Sequence, residues 1–166
     1  MALTLILMRH AKSSWRDATL DDHDRPLSER GRRAAPAMAR WLAGAGHVPA
    51  EALVSAARRA AQTWALMAPE LGRAVTVRHL AGIYHADAPA LLEVVRGAAA
   101  GPVLLLGHNP AIGELAAELV RTPPPHPRWP GFPTAAIAVI RFDAPGWAGI
   151  TAGSGVAVAF VTPHDL

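Results

Sequence analysis

The chain has 166 residues, 51% of them hydrophobic and 17% charged, the balance of one globular domain with a sizeable core. It contains no cysteine, which excludes disulfides, thiolate metal sites and a cysteine nucleophile. Its 16 Lys and Arg against 13 Asp and Glu leave a formal charge of +3, with the arginines scattered, a pattern that fits discrete anion sites better than a nucleic-acid surface.

Leu3 to Met8 is apolar apart from Thr4, as in a strand buried on both faces in the middle of a parallel sheet. It runs straight into Arg9 and His10. Ligands of open α/β sheets bind beyond the carboxyl ends of the strands, so a fixed cation and a titratable nucleophile stand where chemistry is expected. Residues 13–25 read as a polar loop carrying Asp17, Asp21, Asp22, His23 and Asp24. Asp22-His23-Asp24 resembles the D-x-D of aspartyl-phosphate enzymes, but no strand precedes it. These acids are expected on a solvated loop, with one of them a candidate to touch the site.

Pro26-Leu27-Ser28 opens the first helix, with Ser28 as N-cap. Ala34, Ala35, Ala37, Met38, Trp41 and Leu42 recur at helical spacing, Pro36 leaves the start of the helix open, and Gly44 and Gly46 end it. Ala52–Ser55 is a short second strand. It leads into an Ala-rich helix, Ala56–Met67, ended near Pro69 and Gly72. Arg58 and Arg59 open that helix against its dipole. Successive helical positions point about 100° apart, so only one of the two can face a given site. Val75–Val77 is a weak strand with His79 past it, and residues 80–89 form a loop with Tyr84, His85 and Asp87. Ala88–Gly97 is a helix with Leu91, Leu92, Val94 and Val95 inward.

Val103–Leu106 is the second fully apolar strand, ending in Gly107-His108-Asn109-Pro110. Asn109 fits an N-cap and Pro110 the first helical position of a helix running through Ile112, Leu115, Leu119 and Val120. The N-terminus of that helix offers free N–H groups and a favourable dipole to an anion. Residues 122–133 are Pro-rich and read as a stiff loop pinned by Trp129 and Phe132; Thr134–Phe142 and Val156–Val161 are the last strands. The chain after this loop is too short for a second domain, so residues 1–166 are expected to form one.

Adjacent parallel strands lie about 4.8 Å apart, so His10 and His108 can face each other across one pocket if the two apolar strands pair. Arg58 or Arg59 would reach it from the start of another helix. Two Arg and two His suit a phosphoryl group: the Arg fork matches phosphate oxygens, one His can attack phosphorus, and the other can stabilise the developing charge.

Four stretches, in this order, resemble the histidine phosphatase superfamily and, within it, the short SixA-type phosphohistidine phosphatases. Arg9-His10-Ala11 is similar to the family's Arg-His-Gly. Arg25-Pro26-Leu27-Ser28-Glu29-Arg30-Gly31 is similar to Arg-Pro-Leu-Thr-x-x-Gly. Ser55-Ala56-Ala57-Arg58-Arg59-Ala60-Ala61-Gln62-Thr63 is similar to Ser-Pro-x-x-Arg-Ala-x-Gln-Thr, and Gly107-His108-Asn109-Pro110 to the second His motif. The likeness runs from Leu5 to about Phe142. It implies an α/β fold of three layers, with a mostly parallel central sheet and helices on both faces, as in phosphoglycerate mutase-like proteins. It implies His10 as nucleophile through a covalent phosphohistidine, with Arg9, Arg59 and His108 binding the phosphoryl group and Arg58 not. Ser13 and Asn109 are further candidate substrate-binding residues. No metal and no cofactor are implied.

Ala11 stands where the family has Gly, which restricts the backbone there, and Ala56 stands for a Pro with little consequence expected. No clear general acid is present; Asp87 and the Asp21–Asp24 cluster are the candidates, and SixA-type members also lack a clear acid. The chain has no room for an insertion capping the site, so an open pocket is expected. The resulting expectation is a metal-independent phosphohistidine phosphatase acting on a signalling or phosphotransfer protein. The rivals are a small-molecule phosphomonoesterase, which needs an acid and a closed pocket, and a non-catalytic phosphate-binding module. A metallohydrolase has no His-x-His or His-x-x-x-His pair to support it. Neither nucleic acid nor membrane is expected as a partner: no apolar stretch approaches ~20 residues. No signal-peptide pattern opens the chain, and a cytoplasmic location is the expectation.

Overall fold

The computed structural model describes residues 2–99 and 101–166. Its strands are β1 (Ala2–Arg9), β2 (Glu51–Ser55), β3 (Thr76–Leu80), β4 (Val103–Gly107), β5 (Ile137–Asp143) and β6 (Val156–Val161). Its helices are α1 (Glu29–Gly44), α2 (Arg58–Met67), α3 (Ala88–Arg96) and α4 (Ala111–Leu119). The strands form one sheet in the order β3-β2-β4-β1-β5-β6. Pairing is parallel from β3 through β2 and β4 to β1, and antiparallel from β1 to β5 and from β5 to β6.

Alternation along β1 sends Leu3, Leu5 and Leu7 to one face and Ile6 and Met8 to the other. The first face packs against α3 and α4 through Leu91, Val95, Ile112 and Leu115. The second packs against α1 and α2 through Met38, Leu42, Trp64 and Met67. The architecture is the expected three-layer α/β sandwich with a mostly parallel sheet. Burial on both faces explains why β1 and β4 carry no polar alternation. No helix among the described residues is long and apolar enough to cross a membrane.

Several boundaries move for local reasons. α2 starts at Arg58 and not Ala56, because Ala57 is extended and its N–H is taken by the Ser55 hydroxyl at 3.2 Å. β3 extends to Leu80 and includes His79. It is an edge strand with side chains largely exposed, so its run of Arg78 and His79 shows no apolar signal. β5 begins at Ile137 and not Thr134, because Ala135 adopts φ 63° and turns its N–H to the carbonyls of Arg9 and His10, at 3.1 and 2.9 Å. α1 runs through Pro36 unbroken, at the loss of one backbone donor. Ser28 caps α1, accepting from Gly31 N–H at 3.2 Å, and Gly46 closes it at φ 79°.

Gly31 couples this helix to the loop after β1. A Cβ built on it would stand 2.1 Å from the Lys12 carbonyl oxygen, which itself accepts from Ser28 N–H at 2.9 Å. The Gly that closes the Arg25–Gly31 stretch is thus required by close approach and not by a turn. Ala is the better helix former by up to about 1 kcal/mol, yet Gly31→Ala should destabilise the protein by roughly 1–3 kcal/mol, the usual cost of overpacking. Urea titration checks this; a variant as stable as the parent would show that the contact yields.

Candidate active site

The site lies at the carboxyl end of β1 and β4. Their register pairs Arg9 with Gly107, and His10 N–H continues the ladder to the Gly107 carbonyl at 3.1 Å. The residues just beyond the pair, His10 and His108, then meet with ring centroids 5.1 Å apart, as the apolar pattern of the two strands predicts. Both are nearly buried, at 6% and 9% exposure.

His10 Nδ1 donates to the Ala11 carbonyl at 2.7 Å, which leaves Nε2 with its lone pair free of a proton. Arg59 Nε donates to that same Nε2 at 3.3 Å. Burial above all, opposed by the Ala11 hydrogen bond and aided by the charges around it, lowers the His10 pKa to about 3. His108 is lowered to about 4, again chiefly by burial and then by Arg59. His108 Nε2 meets the Ser55 hydroxyl at 2.7 Å, and Ser55 Oγ also accepts from Ala57 N–H at 3.2 Å. When Ser55 donates to Nε2, His108 Nδ1 carries the ring proton. That Nδ1 and Arg9 Nε are both buried without a hydrogen-bond partner among the described residues. The rest of Arg9 is held by Nη1 donating to the Phe132 carbonyl at 3.3 Å, and Phe132 sits at φ 40°, a strained value for a non-glycine residue.

Arg59 is buried in α2, while Arg58 is exposed and donates to the Asp24 carbonyl at 3.2 Å. Helical rotation therefore brings only Arg59 to the histidines. The motif residues one turn further are struts. Thr63 Oγ1 accepts from Ala11 N–H at 3.1 Å and donates to the Arg59 carbonyl at 2.7 Å. Gln62 Oε1 accepts from Leu27 N–H at 2.9 Å. The backbone N–H of Ala11 is thereby occupied by Thr63.

Ser13 and Asn109 are also engaged within the protein. Ser13 Oγ accepts from Arg25 Nη1 at 2.7 Å. Asn109 donates from Nδ2 to the Gly131 and Phe132 carbonyls at 3.1 and 3.0 Å, and its Oδ1 accepts from Gly113 N–H at 3.2 Å. Asn109 thus caps the first turn of α4 by side chain, although the helix proper begins at Ala111. Asp87 caps α3, accepting from Ala90 N–H at 2.9 Å.

Asp22 is the residue the sequence places least well. It lies in a 3₁₀ turn, Asp22–Asp24, that folds over the site. Its Oδ2 accepts from Arg59 Nη2 at 3.0 Å and from the hydroxyl of Tyr84, its carbonyl accepts from Arg59 Nη1 at 2.7 Å, and its Oδ1 accepts from Arg25 Nε at 3.1 Å. With a side chain 49% exposed, it is not simply a solvated loop residue. The Tyr84 hydroxyl, then Arg59 and Arg25, hold its carboxyl well below the usual carboxylate range, so it is ionised at neutral pH. Tyr84 is the chain's single tyrosine; its ring stands edge-on to His108 at 5.4 Å, and its own pKa is raised by burial and by Asp22. The only sequence signal for this pair was the crowding of acids before Arg25. Among the described residues, no group of three or more His, Asp or Glu is placed to hold a metal ion.

The arrangement offers one imidazole lone pair, two guanidinium groups and a second imidazole around a single point, which suits nucleophilic attack on a tetrahedral oxyanion. Comparison with known proteins agrees with this chemistry. Residues 5–84 match the family model of the histidine phosphatase superfamily (branch 1). The phosphohistidine phosphatase SixA of Escherichia coli is 31% identical, over 87% of this chain and 88% of that one. A Nakamurella multipartitia structure, solved as a candidate phosphohistidine phosphatase SixA, superimposes with a TM-score of 0.80 at 31% identity, covering 98% of this chain and 97% of that one. The protein histidine phosphatase SixA in complex with tungstate gives a TM-score of 0.77 at 27% identity, covering 98% of each chain.

The two imidazoles bear on stability. Their folded pKa values lie below the ~6.5 of free His, so between about pH 6.5 and 4 the unfolded chain binds more protons than the folded one. Their contribution is fully present above pH 6.5. As pH falls through this window, stability should drop by up to about 1.4 kcal/mol per pH unit for each imidazole. Denaturant titrations between pH 7 and 4.5 measure the slope. A His10→Gln/His108→Gln double variant should flatten it, and an unchanged slope would place the titration elsewhere.

Proposed function

We propose that this chain, which belongs to the histidine phosphatase superfamily and is a phosphatase, dephosphorylates phosphohistidine on a protein through a covalent intermediate at His10. His10 Nε2 attacks phosphorus. Arg9 Nε, Arg59 Nε and His108 Nδ1 donate to the phosphoryl oxygens and stabilise the charge that develops on them. Ser13, whose hydroxyl keeps its own proton to donate while it accepts from Arg25, and Asn109 at the start of α4 remain further substrate-binding candidates beside these donors. A relative solved in complex with tungstate, a tetrahedral oxyanion, supports oxyanion binding by a protein of this fold.

The observation that carries the choice of substrate is the state of Asp22. Among the described residues it is the carboxylate hydrogen-bonded to Arg59, and it is held ionised. The site therefore has a nucleophile and cations but no carboxylic acid poised to protonate a departing alkoxide, a service worth ~10²–10⁴-fold. Phosphohistidine does not need it. With its second ring nitrogen protonated, the leaving imidazole takes the electrons of the broken P–N bond and departs neutral. The phosphoryl group then sits on His10 Nε2, opposite an Nδ1 that already carries its proton, so the transfer needs no net proton. Water next attacks phosphorus, the His10 P–N bond breaks, and dihydrogen phosphate leaves with both of the water's protons. No step requires a metal, since two Arg supply the positive charge.

kcat/KM for phosphohistidine, aryl and alkyl phosphates should fall in that order, with alkyl phosphates hardly turned over. Alkyl phosphates cleaved as fast as phosphohistidine would reveal an acid and favour the small-molecule reading. Arg59→Ala should lose ~10²–10³ in rate, while Arg58→Ala stays near the parent. Equal losses would refute the assignment of the two arginines.

A further inference from the structure

We infer that a groove beside the site, lined by Arg16, Arg30, Arg32 and Arg33, docks an acidic surface of the protein that carries the phosphohistidine; this inference rests on the substrate reading above. The groove has a volume of about 460 Å³, and Ser14, Leu27, Ser28 and Glu29 complete its wall, Glu29 being its one acid against four arginines. It belongs to the same end of the sheet as the site. Its wall residues come from the segment that leaves His10 and from the first turns of α1, joined where Ser13 bridges to Leu27 and Ser14 N–H donates to the Pro26 carbonyl at 2.8 Å.

The charges in this groove are poorly compensated. Arg30, Arg32 and Arg33 occupy the first turns of α1, where the helix dipole disfavours cations. Only Arg33 has an ion pair among the described residues, a 3.4 Å contact with Glu29 in which both side chains are largely exposed. A surface acid from a partner would offset both the mutual repulsion and the dipole.

Trp15 lies in the chain between the groove residues Ser14 and Arg16. It is 70% exposed, and the Arg25 guanidinium lies 3.5 Å from its ring centroid. Arg25 in turn holds Asp22. An exposed Trp flanked by Arg side chains is the composition of a protein-binding hot spot and not of a small-ligand pocket. The charge of the groove selects an acidic partner, and the partner's phosphohistidine would lie past Trp15, over His10.

The test uses two phosphohistidine peptides, one flanked by Glu and one by Lys, together with free phosphohistidine as a small probe. For the parent protein at low salt, kcat/KM for the Glu peptide should exceed that for the Lys peptide by about ten-fold or more. The gap should close near 1 M salt, where the Debye length is about 3 Å. Arg30→Glu/Arg32→Glu should abolish or invert it while hydrolysis of free phosphohistidine is unchanged. This variant places acids where the helix dipole favours them, so its thermal midpoint should not fall. Equal rates for the two peptides, or a gap that survives in the variant, overturn the docking groove and leave the substrate reading standing. If no phosphohistidine compound is hydrolysed while an aryl phosphate is, both fall. Inhibition of Glu-peptide hydrolysis by a short oligonucleotide, not matched by polyglutamate, would make the groove a nucleic-acid surface and overturn the protein assignment.

Discussion

The parallel pairing of β1 with β4 is the constraint on which the site depends. Both strands are buried on both faces, and a slip of one residue would turn Leu5 and Leu7 from the side of α3 and α4 to the side of α1 and α2. Packing on two sides therefore fixes the register Arg9↔Gly107, and with it the meeting of His10 and His108. The two histidines are positioned by the core and not by the loops that carry them. Rigid placement of this kind is what a transition state requires of its surroundings.

The second constraint is electrostatic. Burial, and then the neighbouring charge of Arg59, work against the cation of Arg9. Two features keep this tolerable. The histidines stay neutral, because burial disfavours their cations. Asp22 supplies a fixed negative charge at the mouth, itself held by Arg25, which is braced by Ser13 and stacked on Trp15. Asp22 also decides how Arg59 is used. Its carboxylate and carbonyl take the two outer nitrogens of the guanidinium, so the inner Nε is the one presented to His10.

A third set of contacts holds the loops to this frame. Thr63 and Gln62, on one turn of α2, clamp Ala11 and Leu27. The Pro-rich segment returns to the site through Phe132, whose carbonyl receives both Arg9 and Asn109, with its ring buried against Trp129 and Phe160. The motif residues thus divide into those facing His10 and those bracing the loops around it. Stability and function are coupled here, since the same hydrogen bonds that close the loops aim the donors.

The sequence alone determined the order of elements, the two strands buried on both faces, and the placement of Arg9, His10 and His108 at their carboxyl ends. These are readable because hydrophobic runs and the chain directions they imply are local properties, and because the motif stretches keep their spacing. Helical periodicity also showed that only one of Arg58 and Arg59 could serve, without saying which; the match of the Ser55–Thr63 stretch to a family motif pointed to Arg59. Tertiary structure decided the rest. Asp22 reaches Arg59 and Tyr84 across 37 and 62 residues of chain, through a turn whose polar sequence carries no periodic signal. The N-cap role of Asn109 was legible locally, but the contacts of Ser13 with Arg25 and of Asn109 with the carbonyls of residues 131 and 132 join segments that no local pattern links. The edge strand β3 hid its extent because exposed side chains have no burial pattern to display. Polar contacts between distant segments depend on where the packed core brings the loops, and that is set only once the sheet has closed.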